Sequence, residues 1–402
     1  VIEYAEEHNN VLAFSNAKTR GIEDGEIKDV SALNDSMKQV IQDLEEQIGR
    51  ELKGELLVSS SCGEFKLEEV TEESLLSEKE EILVTEEHVV DLKDNLLNHI
   101  SPDNDKNSMH LFVKKFVLDD KKIVGNPVGM RAKKLSAVFN IVMGSEHYRN
   151  VVEYATGEIL GEAEYYISFI SNAEAVLSDV EKDRGVLHVD LGYDSTFVTL
   201  YHANTPIELE RVDTAMKHVI KDIAVVLQTS LQEAERLLRT YGISVYQDVE
   251  PKVIEYKGLD GRSIRTTNQE FLSRIIYARL RGIFMKIRKL YRDYTFKYQQ
   301  FSNIGIPGGI VFSGGGAMLQ RIEEHASEVF KCPVRIGTLA NSDRFESESE
   351  EVYSALYAAT FGNILVYEME QNVYGSMIGE RKRHSGQGIF KKLLESLGKI
   401  FG

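Results

Sequence analysis

Val186-Leu187-His188-Val189-Asp190-Leu191-Gly192-Tyr193-Asp194-Ser195-Thr196 carries the decision about this chain's fold. The apolar run reads as a buried strand that returns, after a turn, through Phe197 to Tyr201. Asp190 stands at the strand end, and the hydroxyls of Ser195 and Thr196 open the return strand. Backbone N–H groups in such a turn can face phosphate oxygens while the carboxylate holds Mg²⁺ through water. Asp-x-Gly turns also join many ordinary hairpins, so the segment identifies nothing by itself. A second stretch, Gly308-Gly309-Ile310-Val311-Phe312-Ser313-Gly314-Gly315-Gly316-Ala317, reads as a buried strand opening through glycines into a helix. Glycine lets backbone approach a ligand where a Cβ would clash, and a helix N-terminus offers unpaired N–H donors. This is not a Walker loop, because no Lys-Ser/Thr follows the last glycine.

Outward from these two strands, the spacing predicts helices over 213–227, 231–240 and 268–300, a strand-loop-helix over 309–327 and a helix over 351–367. Toward the start, a hairpin at His8-Asn9-Asn10 leads to a strand from Val11 to Phe14, a helix from Val30 to Ile48 and a buried strand at Leu56-Leu57-Val58. The acid-rich stretch 64–87 reads as a separator before a small unit with strands at 109–118 and 135–143. Two halves, each with a strand hairpin and following helices, suggest a duplicated α/β fold.

A chain of 402 residues calls for more than one domain. No apolar run reaches the roughly 18 residues of a transmembrane helix, and no signal peptide opens the chain, which predicts a cytoplasmic location. Cys62 and Cys332 lack metal-ligand spacing and read as core thiols. The net charge of −17 argues against sequence-general nucleic-acid binding. Against that acidity, Arg381, Lys382, Arg383, Lys391, Lys392 and Lys399 face only Glu380 and Glu395 at the C-terminus.

The order of Asp190 to Thr196, the 213–227 helix, Glu233-Ala234-Glu235-Arg236 before Tyr241-Gly242, and Gly314-Gly315-Gly316-Ala317 followed by Pro333-Val334-Arg335 resembles actin-like ATPases. With Pro127-Val128-Gly129-Met130 and Asn172-Ala173-Glu174-Ala175-Val176-Leu177, the chain is most similar to the FtsA family over almost its whole length. The resemblance implies an actin-like ATPase fold: two α/β halves around a nucleotide cleft, with a small β/α domain inserted in the first half. The boundaries expected are 1–82 with 151–183 for the first half and 83–150 for the insertion. The second half follows at 184–227 with 301–370, a helical partner-binding subdomain at 228–300, a linker at 371–387 and an amphipathic helix at 388–402. The first strand and phosphate loop are expected upstream, since the chain opens inside the strand Val1-Ile2-Glu3-Tyr4.

Carried over by position, Asp190 would hold Mg²⁺ through water, and Gly192, Ser195 and Thr196 would contact the phosphates of ATP. Gly314, Gly315, Gly316 and Ala317 would lie against adenosine, with Met216, Lys217, Glu235 and Arg239 near base and ribose. Two departures bear on this assignment. Tyr193-Asp194 replaces the family's glycine pair and adds a negative charge beside phosphate, and Ser168-Phe169 stands where the family has Gln-Pro, so ATP hydrolysis is expected to be slow at most.

In 388–402 the apolar residues Ile389, Phe390, Leu393, Leu394, Leu397, Ile400 and Phe401 share one helical face, while Lys391 and Lys392 lie on the other. Fifteen residues cannot span a bilayer but can lie in its interface. Lys286, Lys289 and Arg292 recur at steps of three on the 268–300 helix, where the resemblance implies binding of the acidic C-terminal tail of FtsZ. A filament-forming adaptor anchoring FtsZ at the division site, a metabolite kinase of the same superfamily and a pilus-assembly actin homologue remain as the three readings.

Overall fold

The computed structural model describes residues 1–3, 9–100, 109–145, 151–152, 155–157, 163–340 and 342–375. A five-stranded mixed sheet forms the centre of the second half, in the order Thr205–Val212, Thr196–His202, Val186–Leu191, Ile310–Ser313, Val334–Ile336. The first three strands form an antiparallel meander, and the last two run parallel to the central one. Val186–Leu191 is buried along its whole length, as expected of a strand covered on both faces. One face packs on helices Met216–Leu227, Leu231–Tyr241, Gln269–Lys297 and Ile322–Phe330 in one apolar core.

The other face meets helix Ser168–Val176, which in turn packs on helix Ala358–Gly375. Between the halves, Arg335 of the second clamps Glu181 of the first through two bonds of 2.9 and 2.7 Å, beside a buried Lys182–Glu174 ion pair at 2.7 Å. Losing one partner of the buried pair would leave a charge stranded in the joint. Helix Val30–Ile48 of the first half begins on Asp29, whose side chain accepts from the Ala32 N–H.

Several boundaries differ from the sequence reading. The acid-rich stretch is a strand, Phe65–Leu75, paired residue for residue with Lys134–Gly144, so the inserted sheet starts at 65 and not at 83. Glu68, Glu69 and Glu73 are exposed on this edge strand, and such an acid-rich run also reads as a linker. The sheet continues through Met109–Leu118 and Lys122–Val124 around its own apolar core, which includes helix Glu86–Ile100.

Phe345–Glu346 pairs with Asn9–Val11, and Ala358–Gly375 packs on Ser168–Val176, so this part of 301–370 returns to the first half. The last helix starts at 358, after a 3₁₀ turn at Glu350–Tyr353, and takes in 371–375 of the expected linker. The second strand is Asn9–Val11 and ends before Phe14. The 228–300 subdomain is not purely helical: it carries the hairpin Val253–Lys257 with Ile264–Asn268.

Candidate functional site

The register of the central sheet builds the site. Asp190 lies beside Ser313 in the parallel pair, so the end of Val186–Leu191 and the glycine turn after Ile310–Ser313 emerge together. Asp190 is buried, and burial pushes its carboxyl up to about 6, against hydrogen bonds from Asn172 and Ser313 that favour the charged form. Below it, His188 Nε2 lies 2.8 Å from Ser313 Oγ, and burial drives this imidazole down to about 3. With Ser313 donating to Asp190, a neutral His188 donates from Nε2 to Ser313 Oγ, and its buried Nδ1 has no partner among the described residues.

The three glycines after Ser313 differ in what encloses them. Gly314 has φ +81°, and a Cβ there would stand 2.4 Å from Asp190 Oδ1. A Cβ on Gly316 would meet Leu191 Cγ at 2.5 Å and Met216 Cγ at 2.8 Å. Gly315 is exposed, and its Cβ would meet nothing within 4 Å. Two glycines are thus required by the protein's own packing, and the middle one presents bare backbone to the cleft. The following element is a 3₁₀ turn, Gly315–Met318, rather than the start of an α-helix.

The turn at 192–195 is bonded internally. Gly192 N–H donates to Ser195 O at 3.1 Å, while the Gly192 and Tyr193 carbonyls accept from the Met216 and Lys217 N–H groups at 3.1 and 2.9 Å. These contacts satisfy donors that a helix N-terminus would otherwise leave open. Thr196 is fully buried with Oγ1 donating to Thr214 O at 2.8 Å, so its hydroxyl is committed away from the cleft. Ser195, Met216 and Ala317 are buried as well, the last two within the main apolar core.

Charged groups gather at the rim. Lys217 Nζ lies 3.0 Å from Asp194 Oδ1 and also bonds Asp24 of the first half. Burial works to lower the Lys217 pKa, but these two partners carry it above the ordinary lysine value. Glu235 pairs with Lys18 at 2.5 Å and Arg239 at 3.0 Å, and although burial opposes ionisation, the two cations hold its carboxyl below the usual range. Tyr193 lies within the field of both clusters. Ser168 opens a helix, and Phe169 is stacked on Phe197 with ring centroids 4.2 Å apart, so this position is aromatic core.

A family model for the cell division protein FtsA matches residues 187–362, and one for the SHS2 domain inserted in FtsA matches 65–143. Together they cover more than half of the chain. The chain belongs to the FtsA family. It is 27% identical to the FtsA of Enterococcus hirae over 346 residues, 84% of this chain and 74% of that one. To the FtsA of Escherichia coli K12 it is 22% identical over 395 residues, 96% of this chain and 91% of that one. Among solved structures, a PilM–PilN type IV pilus biogenesis complex aligns with a TM-score of 0.59 at 13% identity, over 91% of this chain and 94% of the other, a likeness of fold alone. The fold is actin-like, and the SHS2 match begins at Phe65, where the inserted sheet begins.

In this FtsA-family chain, Lys286, Lys289 and Arg292 are exposed on Gln269–Lys297, and none forms an ion pair among the described residues. The sequence reading missed their neighbours: Met285 and Phe296 are exposed too, and 285, 289, 292 and 296 share one helical face. The expected membrane helix at 388–402, with Ile389, Phe390 and the rest of its apolar face, lies outside the described residues. No helix among the described residues is long and apolar enough to cross a membrane.

Proposed function

We propose that this chain binds ATP with Mg²⁺, assembles into filaments and tethers FtsZ filaments to the inner face of the cytoplasmic membrane at the division site. The observation that carries the reading is the meeting of Asp190 with the Gly314 turn, which sets a carboxylate beside open backbone at Gly315. Asp190 suits a water-mediated Mg²⁺, whose charge would reverse the penalty of holding an ionised carboxylate in this buried place. Gly315 suits the flat face of a purine. Lys217, Glu235 and Arg239 stand at the rim in ion pairs, whereas Thr196, Met216 and Ala317 support the walls from within the core.

FtsZ-tail binding draws support from the exposed face of Met285, Lys289, Arg292 and Phe296, where free cations flanked by apolar side chains suit an acidic peptide with apolar anchors. Membrane attachment rests on the sequence of 388–402, and self-association on the inserted domain. Co-sedimentation with FtsZ tests the whole reading. FtsZ should pellet with anionic liposomes only when this protein is present, and deletion of 388–402 should abolish that transfer. FtsZ recovered equally with the deleted protein would remove the tethering role.

A further inference from the structure

Lys217, Lys18 and Arg211 at the cleft rim are engaged across the cleft. Lys217, at the start of Met216–Leu227 in the second half, bonds Asp24 in the first-half turn between Ile22–Glu23 and Glu26–Ile27. Lys18, also in the first half, bonds Glu235 on Leu231–Tyr241. Arg211 of the second half donates to the carbonyls of Asp24 and Gly63 at 3.3 Å each. These three side chains therefore join the halves at the rim, and each needs a residue distant in sequence; Lys217 and Asp24 are 193 positions apart.

Asp194 makes this arrangement unusual for a phosphate site. It sits on the turn beside Asp190, 19% exposed, with its carboxylate drawn onto a Lys217 that is only 12% exposed. Around the rim, Lys18, Lys217 and Arg239 are balanced by Asp24, Asp194 and Glu235. A nucleotide entering here finds no uncommitted cation in this group and meets a fixed carboxylate at the turn. It can gain Lys217 only by displacing Asp194, Asp24 or both.

We propose that Asp194, Lys217 and Asp24 form an internal latch that closes the two halves on each other and competes with nucleotide for Lys217. The competition rests on the nucleotide-binding reading above; the closure does not. Nucleotide entry then loosens the Asp24 turn from the second half, the reverse of the protection that a ligand commonly confers. The latch sets nucleotide affinity by the strength of an ion pair that the chain supplies itself.

Two measurements test it on the full chain. Hydrogen exchange without nucleotide should show the amides of 21–29 opening about tenfold faster in Lys217→Met and in Asp24→Asn, while the hairpin at 253–268 stays at its wild-type rate. Asp24 is exposed, so its variant keeps the test valid if Lys217→Met fails to fold. Calorimetry with MgATP should find Asp194→Asn binding about tenfold tighter than wild type, the scale of one partly screened ion pair. Unchanged exchange in Asp24→Asn overturns the closure, and equal affinity in wild type and Asp194→Asn overturns the competition. If neither protein binds MgATP while exchange accelerates as described, the nucleotide reading fails and the closure stands.

Discussion

Two turns meet at the cleft, both at the ends of adjacent parallel strands and both glycine-containing, yet they are built for different tasks. At 314–316 the outer glycines are packed shut against Asp190, Leu191 and Met216, which leaves Gly315 as exposed backbone. At 192–195 the turn is bonded to itself and to Met216–Leu227, and its acid is tied to Lys217. One wall is ready for a ligand, while the other is occupied by the protein's own groups. A strand-end glycine turn is therefore no binding site in itself; what matters is which donors and faces remain after the turn has satisfied its own packing.

The sharpest way to break this comparison is to fill the two neighbouring glycines separately. Gly316→Val should cost about 3 kcal/mol or more in urea unfolding, since its Cβ would press on Leu191 and Met216 within the core. Gly315→Val should stay within about 0.5 kcal/mol of wild type, as an open surface position does. Similar losses at both positions would mean that the turn is uniformly structural.

Next in size is the buried acid. With its pKa raised from 3.8 to about 6, Asp190 binds a proton more readily folded than unfolded, so its penalty grows as pH rises from about 4 through 6 and is complete above that. Asp190→Asn should therefore gain stability relative to wild type as pH rises, by about 3 kcal/mol at pH 8 and about half of that at pH 5, before the lost hydrogen bonds are counted. His188 acts with the opposite sign: its folded pKa near 3 removes stability as pH falls from 6.5. It is present in both proteins, so it cancels in the difference. A difference independent of pH would show Asp190 to be unstrained.

Much of the second half was legible from local pattern. The uniformly apolar Val186–Leu191, the amphipathic helices and the glycine run carry their structure in consecutive residues. The hairpin at 253–268 was not, because Glu255, Lys257 and Arg265 interrupt its short strands and it reads as part of a helical stretch. The edge strand Phe65–Leu75 was hidden by its own glutamates in the same way. Within the candidate site, Asp190 and Gly314 stood out as a strand-end acid and a glycine run, but the enclosure of Thr196 and Met216 depends on partners brought in by tertiary packing. The pairing of Lys18 with Glu235 and of Lys217 with Asp24 joins the two ends of the fold, and no spacing rule reaches that far.

A smaller effect should come from the long helix. Lys289→Glu and Arg292→Glu should each weaken FtsZ-tail binding about tenfold and lower its salt dependence, while stability changes by less than about 0.5 kcal/mol. Fluorescence anisotropy with a labelled tail peptide at two salt concentrations measures both quantities. Unchanged affinity in both variants would move the partner site elsewhere.

Nucleotide binding in this cleft depends most directly on the open glycine. Titration of MgATP into wild type and Gly315→Val by calorimetry, with the melting temperatures of both recorded, isolates the cleft from the fold. Binding to wild type, with affinity lowered at least a hundredfold in a variant that melts at the same temperature, is the expected result. Wild-type affinity retained by the folded Gly315→Val protein would contradict the site.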